Sequence, residues 1–411
     1  MESGSLPVGL IMMGLLGGLS IFLYGMDLLT TSLKIVAGNR MKQLLARLTT
    51  NRFKGVFAGA FTTAVIQSSS VTTVLSVGFV AAGLMNLRQS IGVIMGAEIG
   101  TTITAQIIAF KVTQFALVAV TAGFILHFFF GNEKTKRYGL MILGLGLVFF
   151  GMNMMGDATH PLRDYPPFVA LLQEMKQPLF AVLLSAAFTA LIQSSSATTA
   201  VIIVLASQGL ITLEQGIALV FGANIGTSVT ALLASIGKPR EAIRTALIHV
   251  TFNVLGVLLW FGFIDEVAQV IRAISPTAAG LAGIDRLAAD TPRQIANAHT
   301  MFNVGNTLIF IWFVGAFASL VTRLVPEKPH VIPEGVMPKY LDKLLLDTPT
   351  LALDRVRLEL GRLAKQARRM VRSGPEIVMS GSRADLEQLA RQDDGVDALH
   401  DAILNYLGEL S

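Results

Sequence analysis

Apolar runs long enough to cross a hydrocarbon layer of roughly 30 Å recur along this chain, at 8–33, 112–130, 138–156, 246–264 and 296–322. They restrict the fold to a helical bundle or a membrane barrel. A barrel strand alternates polar and apolar side chains over about 10 residues, and a run such as GLMILGLGLVFFGMNMMG (139–156) does not alternate. The sequence therefore predicts an all-α polytopic membrane protein. Composition divides the chain: of its 59 charged residues, 33 fall in residues 1–325 and 26 in the last 86. The last segment, 326–411, reads as a soluble helical tail.

The N-terminal stretch MESGSLPVGLIMMGLLGGLSIFLYGMDLL has no basic region before its apolar run, and that run is longer than the core of a signal peptide. It reads as a retained first helix. Basic residues gather at 34–54, 134–137 and 238–244, where the positive-inside rule makes the loops cytoplasmic. The loops at 157–177 and 265–293 carry mixed charge and face outward. The expected chain starts outside and ends with its tail in the cytoplasm. A net charge of +5 needs no nucleic-acid partner, since the basic residues flank membrane spans. The absence of cysteine excludes disulfides and thiolate metal sites, and the six histidines lack zinc-ligand spacing.

The segment TAVIQSSSVTTV (63–74) returns as TALIQSSSATTA (189–200), with nine of twelve positions identical at a displacement of 126. At the same displacement GAEIGTTIT (96–104) returns as GANIGTSVT (222–230), and YGMDLL (24–29) as FGMNMM (150–155). Three matches at one displacement indicate a duplicated unit. Its first helix leads from outside to a basic loop, and the second copy's leads from a basic loop to outside. The repeats are therefore inverted, a construction typical of secondary transporters whose substrate sites lie near the bilayer midplane. The expected divisions are repeat 1 at 1–131, repeat 2 at 132–245, further membrane helices at 246–325 and the tail.

A single serine-rich patch in a membrane helix commonly serves packing. Two copies on inverted units, each led by glutamine and followed by Thr-Thr, point to a ligand site. Non-helical backbone at membrane depth needs protein or water to satisfy its polar groups, so 55–84 and 178–210 are expected to be hairpins or broken helices, bending at Gln67–Ser70 and Gln193–Ser196. Half-helix N-termini at the bends, with hydroxyl and amide donors, suit a small oxyanion such as phosphate. Neither motif contains Lys or Arg, so co-transported cations would supply the missing charge. Carbonyl and hydroxyl oxygens are ligands of the kind sodium prefers.

Acidic residues inside a membrane are functional by default. Glu98 corresponds to Asn224 in the second repeat, and Asp27 to Asn153, so only the first repeat carries carboxylates at these places. HVTFNV (249–254) and HTMFNV (299–304) repeat at a displacement of 50, offering Asn253 and Asn303 to the site. His249 and His299 are secondary candidates. GLGLVFFG (144–151) has no preceding strand and reads as helix packing, not a nucleotide loop.

The paired QSSS segments, each followed by GAEIGT or GANIGT, and the later FNV helices resemble the type II sodium/phosphate cotransporters in their bacterial form, over residues 10–325. The resemblance implies a sodium-coupled phosphate transporter of the bacterial inner membrane, with no enzyme activity and no prosthetic group. It implies that Gln67, Ser68, Ser69, Ser70, Gln193, Ser194, Ser195, Ser196 and Asn224 bind phosphate. Sodium would be held among Thr72, Thr73, Glu98, Thr101, Thr198, Thr199, Thr227, Asn253 and Asn303.

In the tail, Leu353, Val356, Leu360, Leu363, Ala367 and Met370 stand at helical spacing, and 385–410 is a second such segment. Both resemble a PhoU-like cytoplasmic domain, here with about two helices. That leaves truncation, completion against a second copy in a homodimer, or docking of a phosphate-signalling protein. The competing readings of the whole chain are a phosphate exporter, a transporter of another small anion such as a dicarboxylate, a receptor that signals occupancy without transport, and an intramembrane serine hydrolase. The last would need a base beside the serine, and no histidine accompanies each QSSS copy.

Overall fold

A computed structural model describes residues 8–37, 51–82, 84–110, 115–165, 167, 177–326, 338–346 and 348–410. Arg40, Lys42 and Arg47 of the first basic cluster, and residues 166 and 168–176 of the 157–177 loop, lie outside the described residues. The described elements are helical, and the chain is a polytopic membrane protein. The contacts divide it into two units, residues 1–326 and 327–411.

In the first unit the order is α1 (Val8–Ala37), α2 (Arg52–Ile66), α3 (Ser69–Ala81), α4 (Leu87–Ile108), α5 (Ala116–Phe129), α6 (Glu133–Thr159), α7 (Pro178–Ile192), α8 (Ser195–Ser207), α9 (Leu213–Ser235), α10 (Arg240–Trp260), α11 (Ile264–Ile274), α12 (Gly283–Phe310) and α13 (Val314–Leu324). Among the described residues six segments are long and apolar enough to cross a membrane: α1, α4, α6, α9, α10 with α11, and α12 with α13. The apolar run at 112–130 is helical over only the 14 residues of α5, with 112–114 outside the described residues. α2 and α3 have 15 and 13 residues, too few at about 1.5 Å each to cross singly.

The duplication is structural. α7 and α8 have the bounds of α2 and α3 displaced by 126 residues, and α9 begins at the same displacement from α4. Capping boxes start both α4 (Asn86 with Gln89) and α9 (Thr212 with Gln215). α1 and α6 pack through small residues: a Cβ on Gly18 would lie 2.7 Å from the Gly151 carbonyl, and one on Gly25 would lie 2.7 Å from that of Gly144. Glycine is required there because two backbones touch. The pairing runs antiparallel, and a shift of 126 residues converts the first pair into the second. That is the signature of an inverted repeat about a two-fold axis through the crossing.

A second duplication follows. α10, a 3-10 turn (Phe261–Phe263) and α11 return as α12, a 3-10 turn (Ile311–Phe313) and α13, with the ends of these elements displaced by 50. The largest apolar core lies among α8, α9 and α12 and includes Ile203, Ile217, Phe221 and Phe302. The rings of Phe221 and Phe302 have centroids 4.5 Å apart.

The second unit contains α14 (Pro349–Ser380) and α15 (Arg383–Leu410). Its buried seam is Ala352, Val356, Leu399, Ile403 and Tyr406, with Leu363 packed against it. Leu353 and Leu360, expected on the seam, are exposed. The stripe is rotated because Glu359 occupies the intervening buried position. Its carboxylate accepts from the amides of Lys339 (2.9 Å) and Tyr340 (2.6 Å) and pairs with Arg362 at 2.5 Å. A charged acceptor is needed inside because the arriving chain brings two backbone donors there.

Candidate functional site

The site begins with two residues in a costly conformation. Gln67 (φ 58°, ψ 29°) and Gln193 (φ 54°, ψ 27°) are the only non-glycine residues at positive φ among those described. Such strain costs of order 1–3 kcal/mol and persists where surrounding structure enforces it. Each glutamine caps a helix through its amide, to Thr63 O at 2.6 Å and Thr189 O at 2.7 Å. The following serine is extended and caps the next helix: Ser68 Oγ accepts from the Val71 amide (3.3 Å), and Ser194 Oγ from the Ala197 amide (3.2 Å).

The expected bends at Gln67–Ser70 and Gln193–Ser196 thus coincide with breaks between helices. Each break reverses the chain. Thr63 and Thr72 share a hydrogen bond of 2.8 Å and Thr189 and Thr198 one of 2.7 Å, whereas nine residues of continuous helix would separate such pairs by about 13 Å.

The two breaks meet. Gln67, Ser68, Ser69, Ser70, Gln193, Ser194, Ser195 and Ser196 line one cavity of about 190 Å³, joined by Thr101 of α4 and by Phe22, Leu23, Met26, Asp27 and Thr30 of α1. The starts of α3 and α8 therefore bring unpaired N–H groups and the positive ends of two helix dipoles to one place. Asp27 supplies the cavity's one carboxylate, and none of the lining residues is basic. An anion here meets donors without a formal positive charge.

The other residues singled out in the sequence stand outside this lining. Thr72 and Thr198 hold the hairpins closed. Thr73 is buried with its hydroxyl unpartnered, Thr199 is buried in α8, and Thr227 donates to Ala223 O at 2.8 Å. Glu98, Asn224, Asn253 and Asn303 belong to a buried polar layer. Glu98, 1% exposed, meets His249 Nε2 at 2.9 Å. Asn224 Oδ1 lies 3.3 Å from His299 Nε2, and its Nδ2 donates to Asn303 Oδ1 at 3.4 Å. Asn253 donates to Ser228 Oγ at 3.1 Å. The pairs Glu98–His249 and Asn224–His299 are related by both duplications at once, 126 residues on one partner and 50 on the other.

Sequence reasoning singled out Asp27 but left the rest of the α1 wall, Phe22, Leu23, Met26 and Thr30, out of the site. The signal was present in YGMDLL and its copy FGMNMM, which contain Met26, Asp27, Met152 and Asn153. Met152 and Asn153 line a separate cavity of about 200 Å³, with Gly156 and the C-terminal end of α8.

Both QSSS segments fall within the stretches that a family model matches. The Na+/Pi-cotransporter family model covers residues 21–157 and 167–288. The chain belongs to that family. Its members are transporters, and no enzyme is among the matches described below. An uncharacterized Bacillus subtilis protein, YqeW, is 31% identical over 308 residues, covering 75% of this chain and 96% of its own. YjbB of Escherichia coli K12, provisionally named an inorganic phosphate export protein, is 26% identical over 404 residues, 98% of this chain and 71% of its own. The rat sodium-dependent phosphate transport protein 2C is 47% identical over a shorter stretch of 85 residues, 20% of this chain and 14% of its own. No solved structure matches the chain.

Proposed function

We propose that the protein moves inorganic phosphate across the bacterial inner membrane, coupled to sodium, by alternating access around the QSSS cavity. The observation that carries this reading is the cavity's charge. Two helix N-termini, the QSSS hydroxyls and the Gln193 amide offer donors suited to a tetrahedral oxyanion, yet the lining holds a carboxylate and no cation. Co-bound sodium would restore neutrality, with Asp27, Thr30 and Thr101 as oxygen ligands within the cavity. Glu98, Asn224, Asn253, Asn303, Thr72, Thr73, Thr198, Thr199 and Thr227 would act from behind it by holding the breaks and setting the local charge. The same reading has the N-terminus outside and the tail in the cytoplasm, from the basic loops.

Export is the second reading, favoured by the 98% coverage in the match to YjbB. Reconstituted protein in sealed vesicles tests both. Radiolabelled phosphate should accumulate under an inward sodium gradient and not under equal potassium, with arsenate competing. Uptake indifferent to sodium, or blocked by dicarboxylates alone, would overturn the substrate or the coupling ion. Phosphate moving outward against its own gradient under an inward sodium gradient, as an exchange, would support export.

A further inference from the structure

The two hairpins agree in their helix caps and threonine clasps, so a difference beside the glutamines is informative. Thr104, at the end of GAEIGTTIT, donates from Oγ1 to Gln67 Oε1 at 2.7 Å. The Gln67 amide nitrogen donates to Ala64 O. Both ends of that side chain are engaged by protein, and Gln67 is 5% exposed. The corresponding threonine, Thr230 at the end of GANIGTSVT, has a buried hydroxyl with no partner. Gln193 is exposed, and no hydrogen bond from its side chain occurs among the described residues.

The missing bond is not caused by a different backbone. Gly100 and Gly226, one turn before the two threonines, contact the facing hairpin alike: a Cβ on either would lie 2.7 Å from the Cβ of Thr63 or Thr189. The backbone at the two glutamines differs by only a few degrees. Thr230 therefore stands toward Gln193 as Thr104 stands toward Gln67, and a side-chain rotation of Gln193 would make the second bond. An orphaned buried hydroxyl costs free energy until it is paired, which gives the protein a second arrangement to move toward.

Resting on the alternating-access reading, we propose that Thr104 and Thr230 are positioning residues that hold Gln67 and Gln193 in turn. In the present state Thr104 fixes the Gln67 side chain through its oxygen, with its amide nitrogen engaged on Ala64 O, while the amide of Gln193 is free to donate to the anion. In the opposite state Thr230 holds Gln193 and Gln67 is released.

The inverted repeat supplies the reporters. Met26 lines the QSSS cavity and its counterpart Met152 lines the second cavity. Both lie in the C-terminal halves of antiparallel helices, toward opposite ends of the pair. The chain has no cysteine, so Met26→Cys and Met152→Cys each give a single reactive thiol. Rates of labelling by a hydrophilic maleimide would be measured in each background with Thr104→Val, Thr230→Val and the corresponding serine variants. Thr104→Val should lower labelling at position 26 and raise it at 152, and Thr230→Val should do the reverse. Each population ratio should shift about fivefold, the weight of one net hydrogen bond. Serine should restore the parent pattern. Shifts of the same sign in both valine variants, or none in either, would overturn the proposal. Equilibrium phosphate binding to the same proteins is read separately, so that failure to bind phosphate refutes the substrate reading without deciding the latch.

Discussion

The hairpin of α2 and α3 and the hairpin of α7 and α8 share left-handed glutamines, serine caps, threonine clasps and glycine contacts, yet their surroundings differ at three places. Gln67 is anchored and Gln193 is free. Glu98 meets His249 where Asn224 meets His299. Asp27 lines the QSSS cavity, whereas Asn153 lines the other one. What is common shapes the two chain reversals, and a two-fold scaffold requires them twice. What differs is mainly charge, which a shared central cavity needs on one side only.

The strongest way to break the comparison is at the glycine contacts. Gly100→Ala and Gly226→Ala each force a Cβ against a carbonyl, of Ala60 or Ala186, and against a threonine Cβ. Each should cost about 2 kcal/mol, read as a fall in thermal midpoint in detergent. Gly78→Ala, where nothing lies within 4 Å, should leave the midpoint unchanged or raise it. A loss confined to one of the first two variants would end the equivalence of the halves.

Next come the serines. Ser69→Ala and Ser195→Ala should each weaken phosphate binding about tenfold, at the upper end of one hydrogen bond's net worth, as measured by equilibrium binding. Unequal losses would mean that one half dominates. Glu98→Gln makes the two polar layers more alike. The amide still reaches His249, so the stability loss should stay within about 1 kcal/mol, whereas Glu98→Ala, which strands the imidazole, should cost about 1–3 kcal/mol. Melting temperatures equal to the parent's for both variants would show that the pair contributes nothing to folding.

The smallest effect lies in the tail. The hydroxyl and amide of Ser382 hold the Asp385 carboxyl below its ordinary value of 3.8 at the start of α15. A depressed folded value means that the contribution is present above about pH 4 and fades as pH falls through it. Amide protection in the first turn of α15, taken relative to the intrinsic exchange rate at each pH, should therefore fall below that range, and Asp385→Asn should remove the dependence.

Much of the membrane unit was legible because its signals are local or repeated. Three matches at 126 residues located both breaks, and the apolar runs located most of the spans. In the tail Val356 and Leu363 stand on the seam as expected, whereas Ala352 and Glu359 take the places expected for Leu353 and Leu360. Hydrophobic periodicity cannot anticipate a buried glutamate whose purpose is to accept amides from a loop 19 and 20 residues away.

By itself the sequence determined an inverted, duplicated membrane protein with two polar breaks, because spacing and composition are properties of the chain. Only the tertiary structure decided which hydroxyls reach the cavity and which clasp a hairpin. It alone paired Glu98 with His249 across 151 residues and left Thr230 without a partner. Those outcomes depend on how helices distant in sequence are rotated and packed against one another. A repeat in sequence records that two segments are alike, and packing decides which of the two is engaged.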